Sequence, residues 1–305
     1  MIYTCTLNPS VDYFVMAENF HEGQLNRATK SQYYPGGKGI NVSRILSRLH
    51  VENIALGFVG GFTGQFITEF LGRENVKHNF TEIDDVTRIN VKIKSQIETE
   101  LNGSGPTISS KKQHELLTNI QQLNEDDLLI LAGSLPNSLP DNFYEQITNI
   151  CQNRNVPFVV DTSGKSLEQL VKKKPFLIKP NHHELGELFN TSIQTVQDAV
   201  KYAEQLVEDG VENVIVSLGE KGAIFVNNFV QYKADVPQGE VKNTVGAGDS
   251  LLSGFISSYI TNKNEKEAFQ YGVATGSATA FNLDLCTKED VENLLNHINI
   301  TTIRG

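Results

Sequence analysis

Cysteine is scarce in this chain: Cys5, Cys151 and Cys286 are the three present among 305 residues. They are odd in number, far apart and without the close spacing of metal ligands, which excludes a disulfide framework and a zinc site. Long apolar runs are also missing, so no segment reaches bilayer-spanning length. The start, Met-Ile-Tyr-Thr-Cys-Thr-Leu-Asn-Pro, lacks the basic and then apolar pattern of a secretory signal. A cytoplasmic location with reduced thiols is expected. Positive charge is in deficit, with 26 Lys and Arg against 36 Asp and Glu and a formal net charge of −10. That excludes nucleic acid and anionic membrane as general partners, and an anionic ligand must be held by a local cluster of donors. No internal repeat, low-complexity tract or Pro/Gly/Ser-rich linker divides the chain. Neither a Walker A loop nor a Rossmann Gly-x-Gly-x-x-Gly is found.

What is there is ordinary globular composition, 39% hydrophobic and 20% charged, enough to fold by burying apolar surface. Short apolar runs bounded by glycine or polar turns predict buried strands at Ile2–Leu7, Ile54–Val59, Leu128–Ala132, Phe158–Asp161, Phe176–Lys179 and Val214–Leu218. Helical spacing appears between and after them, at Ile40–Leu49, Phe66–Leu71, Tyr144–Cys151, Val196–Val207, Ser250–Tyr259 and Ala268–Ala280. This alternation predicts an α/β fold, a mostly parallel sheet with helices on both faces. Residues 1–305 then form one unit. Two stretches, about 11–34 and 88–103, break the rhythm. The second alternates apolar and polar residues with the period of a half-exposed antiparallel strand. Together they predict a small sheet over one end of the main one, a lid on a ligand, a dimer contact, or both.

Asn243-Thr244-Val245-Gly246-Ala247-Gly248-Asp249-Ser250 stands directly before an apolar helix. Small residues let the backbone turn tightly and present consecutive N–H groups at a helix N-terminus, a pocket for negative charge. Asp249 in that first turn could accept a proton from an attacking alcohol, and the helix terminus is expected to keep it ionised. Taken alone, the segment reads more readily as a tight turn with an N-terminal helix acid, and the rest of the chain reverses that. A second cluster, Pro35-Gly36-Gly37-Lys38-Gly39-Ile40-Asn41, also opens a helix. It offers bare backbone, a cation and an amide to a phosphorylated sugar. The alternative is a glycine loop with a solvated lysine.

Six motifs in register carry a resemblance over nearly the whole chain. They are Asn8-Pro9-Ser10-Val11-Asp12, the Gly36–Asn41 cluster, Gly133-Ser134-Leu135-Pro136, Lys179-Pro180-Asn181-His182-His183-Glu184, Ser217-Leu218-Gly219-Glu220-Lys221-Gly222 and Thr244–Asp249. The chain resembles the PfkB (ribokinase-like) carbohydrate kinases. Within them it is most similar to those acting on fructose 1-phosphate, with tagatose-6-phosphate kinases as close neighbours. Thr87–Lys92 and Glu98–Asn102 favour the former.

The resemblance implies a ribokinase-like three-layer sandwich with a small β-sheet lid, and ATP with Mg²⁺ as cofactors. A monovalent cation is compatible with it. On the sugar side it implies Asp12 for hydroxyls, Gly37, Lys38 and Asn41 for the sugar phosphate, Arg88 from the lid, Arg27 as a further guanidinium, and Ser134. On the nucleotide side it implies Lys179, Asn181, Ser217, Gly219, Gly222 and Thr244, with Glu184 organising Mg²⁺ through water. Asp249 is the implied base, and the amides of Gly246, Ala247 and Gly248 receive the transferred phosphate. His182 and His183 are adjacent on a helix and cannot both face one ion, so they read as structural or solvated. The family commonly has glycine near Ser138; here Asn137 keeps a left-handed turn available. Ser253 stands where alanine is frequent. The implied reaction is phosphorylation of fructose 1-phosphate to fructose 1,6-bisphosphate by a homodimer paired through the lid. The alternatives are a tagatose-6-phosphate kinase, a neutral-sugar kinase, which would have no use for Lys38 and Arg88, and a non-catalytic sugar-phosphate sensor.

Overall fold

A computed structural model describes residues 1–18 and 20–304; Asn19, inside the first expected insertion, and Gly305 lie outside them. The chain begins with β1 (Ile2–Thr6), β2 (Ser10–Met16), β3 (Lys30–Gly36), α1 (Lys38–Arg48), β4 (Asn53–Gly60) and α2 (Gly61–Arg73). Next come β5 (Lys77–His78), β6 (Thr81–Ile83), β7 (Arg88–Lys94), β8 (Thr99–Asn102), α3 (Ser110–Ile120), β9 (Leu128–Ala132) and α4 (Phe143–Asn153). The middle of the chain forms β10 (Phe158–Asp161), α5 (Gly164–Val171), β11 (Leu177–Ile178), α6 (His182–Leu188), α7 (Val196–Glu208) and β12 (Asn213–Ser217). It ends with β13 (Ala223–Asn227), β14 (Gln231–Ala234), α8 (Ala247–Asn262), α9 (Glu265–Ala280), α10 (Lys288–Leu295) and β15 (Ile300–Arg304).

The main sheet runs β15-β14-β13-β12-β11-β10-β9-β1-β4-β5, with β6 also paired to β4. From β12 to β5 every pairing is parallel, and β13 to β15 add an antiparallel edge. Its central strands are apolar on both faces because both are covered. Leu129, Leu131 and Val160 pack toward α3 to α7, whereas Ile130, Ala132 and Val159 pack toward α1 and α8 to α10. Among the described residues no helix is long and apolar enough to cross a membrane.

The small sheet has the order β3-β2-β7-β8. The expectation of antiparallel strands there needs correction, because β7 runs parallel to β2 and antiparallel only to β8. The direction is inherited: β2 follows β1, β7 follows β6, and β1 and β6 both run parallel to β4. Paired rows sort this sheet into two faces. One carries Tyr34, Asp12, Asn90 and Asn102 in one row and Gln32, Phe14, Lys92 and Glu100 in the next. The other carries the row Tyr33, Tyr13, Val91 and Leu101. The chain leaves the main sheet beside its topological switch, where β1 lies between β4 and β9, and ligands in such sheets bind at the carboxyl ends of the strands.

Candidate active site

The first turn of α8 is built around Gly246, which takes a left-handed φ of 80°. A Cβ there would lie 2.7 Å from Leu285 Cδ2, so both backbone and packing require glycine. No side chain caps this terminus, and the first amide to bond down the helix is that of Ser250, to Gly246 O at 2.8 Å. The amides of Gly248 and Asp249 therefore remain available to an anion, and Ala247 N–H makes only a 3.3 Å bond to Thr244 O. Thr244 itself is exposed at the lip.

Asp249 is buried, and its Oδ2 accepts a 2.8 Å bond from Asn41 Nδ2. Burial, reinforced by the nearby charge of Asp161, pushes its pKa up to about 6, against the opposing pull of Lys38, Asn41 and Lys179. Desolvation and the Asp161 charge therefore outweigh the groups that favour the ionised form. A value of about 6 still leaves a carboxylate at neutral pH, with basicity raised toward the working range.

Lys38 opens α1, where side chains lean back toward the N-terminus. Its Nζ reaches Asp161 Oδ1 at 2.9 Å and Glu184 Oε1 at 3.4 Å. Burial alone would lower its pKa, but Asp161, Glu184 and Asp249 together hold it above the ordinary lysine range. Lys179 approaches Asp161 from the other side, Nζ to Oδ2 at 3.3 Å. The same amine lies 3.1 Å from where a Cβ on Gly248 would sit, so the lysine leans against the bare backbone of the α8 turn. Asn41 bonds Asp249 in the same region, and Arg88 makes its own bonds on the lid side, to Asn8 O and Gly103 O.

Asp161, at the carboxyl end of β10, joins the two lysines, and the sequence did not single it out. Burial would raise its pKa, but Lys179 and Lys38 hold it below the usual range. Lys179 is 4% exposed, and Asp161 is the counter-charge buried with it.

Asn181 caps α6: its side chain accepts from His183 N–H at 2.8 Å and Glu184 N–H at 2.9 Å. Glu184 closes the capping box by accepting from Asn181 N–H at 2.9 Å. Asn181 also bridges to Ser217 at the end of β12. Gly219 and Gly222 bracket the turn that follows, and Leu218, Gly219, Glu220, Lys221, His182 and Thr195 line a cavity there. The rings of His182 and His183 lie 3.9 Å apart. Among the described residues no group of three or more His, Cys, Asp or Glu side chains could hold a metal ion. Glu184 alone is a partly open carboxylate, which fits a Mg²⁺ that keeps its waters and takes its remaining ligands from phosphates.

On the lid, Asp12 Oδ1 accepts from Ser10 Oγ at 2.7 Å and Asn90 Nδ2 at 2.9 Å. Lys92, which the sequence did not nominate, stands 3.6 Å from Asp12 Oδ2. Arg88 Nη2 donates to Asn8 O at 3.1 Å, and Asn8 Nδ2 donates to Ser134 Oγ at 3.3 Å. Arg27 is exposed in the segment between β2 and β3. The lid residues Asp12, Phe14 and Tyr34 line one cleft with Asn41, Asn243, Val245 and Leu285 of the body.

Residues 6–290 match the profile of the pfkB family carbohydrate kinases. The chain belongs to that family. It is 51% identical over 303 residues to a 1-phosphofructokinase of Bacillus subtilis, covering 99% of this chain and 100% of the relative. It is 35% identical over 285 residues to a tagatose-6-phosphate kinase of Staphylococcus epidermidis, covering 92% of each. Among solved structures it is similar to phosphofructokinase-2 of Escherichia coli in complex with substrates and products. There the TM-score is 0.93 and the identity 29%, over 97% of this chain and 98% of the other. The fold is accordingly the ribokinase-like α/β arrangement.

Two departures from the common pfkB pattern resolve in this kinase. Asn137 is not left-handed. Instead Ser138 Oγ donates to Pro106 O at 2.7 Å and accepts from Ile108 N–H at 3.2 Å, tying the loop after β9 to the stem of β8. Ser253 is buried and donates to Asp249 O at 2.7 Å, so its hydroxyl is satisfied within α8.

Proposed function

We propose that this kinase transfers the γ-phosphoryl group of ATP to the C6 hydroxyl of fructose 1-phosphate, giving fructose 1,6-bisphosphate and ADP. The observation that carries the chemistry is the buried Asp249 in an uncapped helix turn beside Lys38 and Lys179. The choice of sugar rests on the 51% identity to a relative named 1-phosphofructokinase, against 35% to one named for tagatose 6-phosphate.

In this reading Asp249 accepts the hydroxyl proton as the oxygen attacks phosphorus, and later returns it to solvent. The transition state for phosphoryl transfer is loose, so positioning and charge stabilisation dominate. The amides of Gly246, Ala247 and Gly248, with Lys38 and Lys179, supply that stabilisation in a preorganised pocket. Asp12 takes sugar hydroxyls, Arg88 with Gly37 and Ser134 frames the sugar phosphate, and Asn41 orients Asp249. Ser217, Gly219, Gly222, Asn181 and Thr244 line the nucleotide's approach. Mg²⁺ brought with ATP would neutralise phosphate charge, held by Glu184. The apolar outer face of the lid pairs with that of a second copy, and Arg27 adds a guanidinium for the sugar phosphate. A cytoplasmic site of action fits the free, buried Cys5, Cys151 and Cys286.

An ADP-release assay comparing kcat/KM for fructose 1-phosphate, tagatose 6-phosphate, fructose 6-phosphate and fructose tests the proposal. Preference for fructose 1-phosphate is expected. Preference for tagatose 6-phosphate would replace the substrate and keep the mechanism, and binding without turnover would leave a sensor.

A further inference from the structure

Lys92 is 7% exposed, and the ion pairs its ammonium makes are long ones. Asp12 Oδ2 lies 3.6 Å away and Glu100 Oε1 3.4 Å away, whereas charged hydrogen bonds run at about 2.7 to 2.9 Å. The centroid of the Phe14 ring stands 5.4 Å from it, which closes off water on that side. An ammonium with three donors that is held by two long ion pairs and a ring face has donor capacity left for a further anion.

Unsatisfied groups lie on and beside this face of the lid. Arg88 Nε, Asn90 Oδ1 and Asn8 Oδ1 are all buried without a hydrogen-bond partner. Acceptors on the asparagines and Asp12 suit sugar hydroxyls. The two cations do not, because a neutral sugar brings no charge to offset them. Arg88 and Lys92 are four residues apart on one strand, about 13 Å between Cα atoms, with Asn90 and the paired Asp12 between them. Long side chains at that spacing can converge on one group from two sides.

We infer that Lys92 is a second cation for the phosphate the sugar already carries, and that it sets the preference for phosphorylated over free sugar. This rests on the sugar-phosphate kinase reading above. Before the sugar binds, Lys92 leans on Glu100, whose side chain is 41% exposed at the rim. When the phosphate enters, the ammonium leaves Glu100 for it, and Glu100 returns to water at little cost. Arg88, the lid cation that the sequence resemblance implied, then has a second cation beside it on the same strand.

The test compares kcat/KM for fructose 1-phosphate with that for fructose in Lys92→Met. The ratio should fall about 10- to 100-fold, through KM for the phosphorylated sugar, while kcat holds. An unchanged ratio, including equal loss on both sugars, would mean that Lys92 only steadies Asp12, and would overturn the inference. Should Lys92→Met fold poorly, Glu100→Gln asks the same question from the rim. Freeing Lys92 should lower KM for fructose 1-phosphate up to about fivefold and leave KM for fructose alone; equal or absent effects count against the inference. The thermal shift caused by fructose 1-phosphate should vanish in Lys92→Met, with the shift caused by ATP kept. Wild-type enzyme without preference for phosphorylated sugar would sink the underlying reading. A wild-type preference that both variants retain sinks this inference alone.

Discussion

Asn41 and Asp249 are joined by a 2.8 Å hydrogen bond that links the first turn of α1 to the first turn of α8 across 208 residues of sequence. Two helix N-termini are thereby fixed against each other, and neither α1 nor α8 has a side-chain cap. The donors that a cap would occupy are left for ligand.

Replacing Asp249 with Asn removes the proton acceptor and keeps the shape. Turnover should fall about 100-fold or more, with ATP and sugar still shifting the melting temperature. Unaltered turnover would take Asp249 out of the mechanism.

The same variant should be more stable than wild type at pH 8. Burial raises Asp249 to about 6, so the folded protein holds a proton that the unfolded chain, with an ordinary value of about 4, has released. Stability from this group therefore falls as pH rises through that window and stays lowered above it. The gap in melting temperature between Asp249→Asn and wild type should shrink as pH drops toward 4.

Asp161→Asn should act in the opposite sense. Asp161 is held low by Lys179 and Lys38, so its contribution is present above the unfolded carboxylate value and is lost as pH falls through its folded value. Removing the charge leaves the buried Lys179 unpaired, at a cost of about 3 to 5 kcal/mol. It also removes a charge that raises Asp249, so the acid limb of the kcat profile should move to lower pH. An acid limb that stayed in place would break the link between the two carboxylates.

Glu184→Gln separates helix capping from metal. Glutamine at the third helical position still completes a capping box, so melting should hardly change. The Mg²⁺ concentration for half-maximal rate should rise about tenfold or more; an unchanged Mg²⁺ requirement would place the ion elsewhere.

Leu101 is 68% exposed and Tyr33 53%, at the two ends of one apolar row. Leu101→Lys should shift light scattering from dimer toward monomer. A wild-type protein that is monomeric at micromolar concentration would remove the lid pairing.

The parallel sheet was legible because strands covered on both faces read as short apolar runs; Leu128–Ala132 and Phe158–Asp161 match to the residue. Helices that bury little were missed: α10 buries Val291 alone, and α3 buries only Leu116 and Ile120. The motifs around Asp249 and Lys38 were visible, but their partners were not. Asp161 ends an apolar strand with nothing local to mark it, and its meaning comes from Lys38, 123 residues away. Lys92 looked like the wet side of an alternating strand, because alternation reports that two faces differ and not which of them covers a ligand.

The lid strands carry a further consequence for inheritance. In all four, even-numbered residues share the face that holds Asp12, Asn90 and Lys92, and odd-numbered residues share the face that holds Tyr13, Val91 and Leu101. A saturation library through residues 88–94 should therefore sort its defective alleles by parity. Even codons would yield enzymes that assemble and misread their sugar, and odd codons would yield enzymes that read it and assemble poorly. Alleles of the two kinds, expressed together, should complement in mixed dimers.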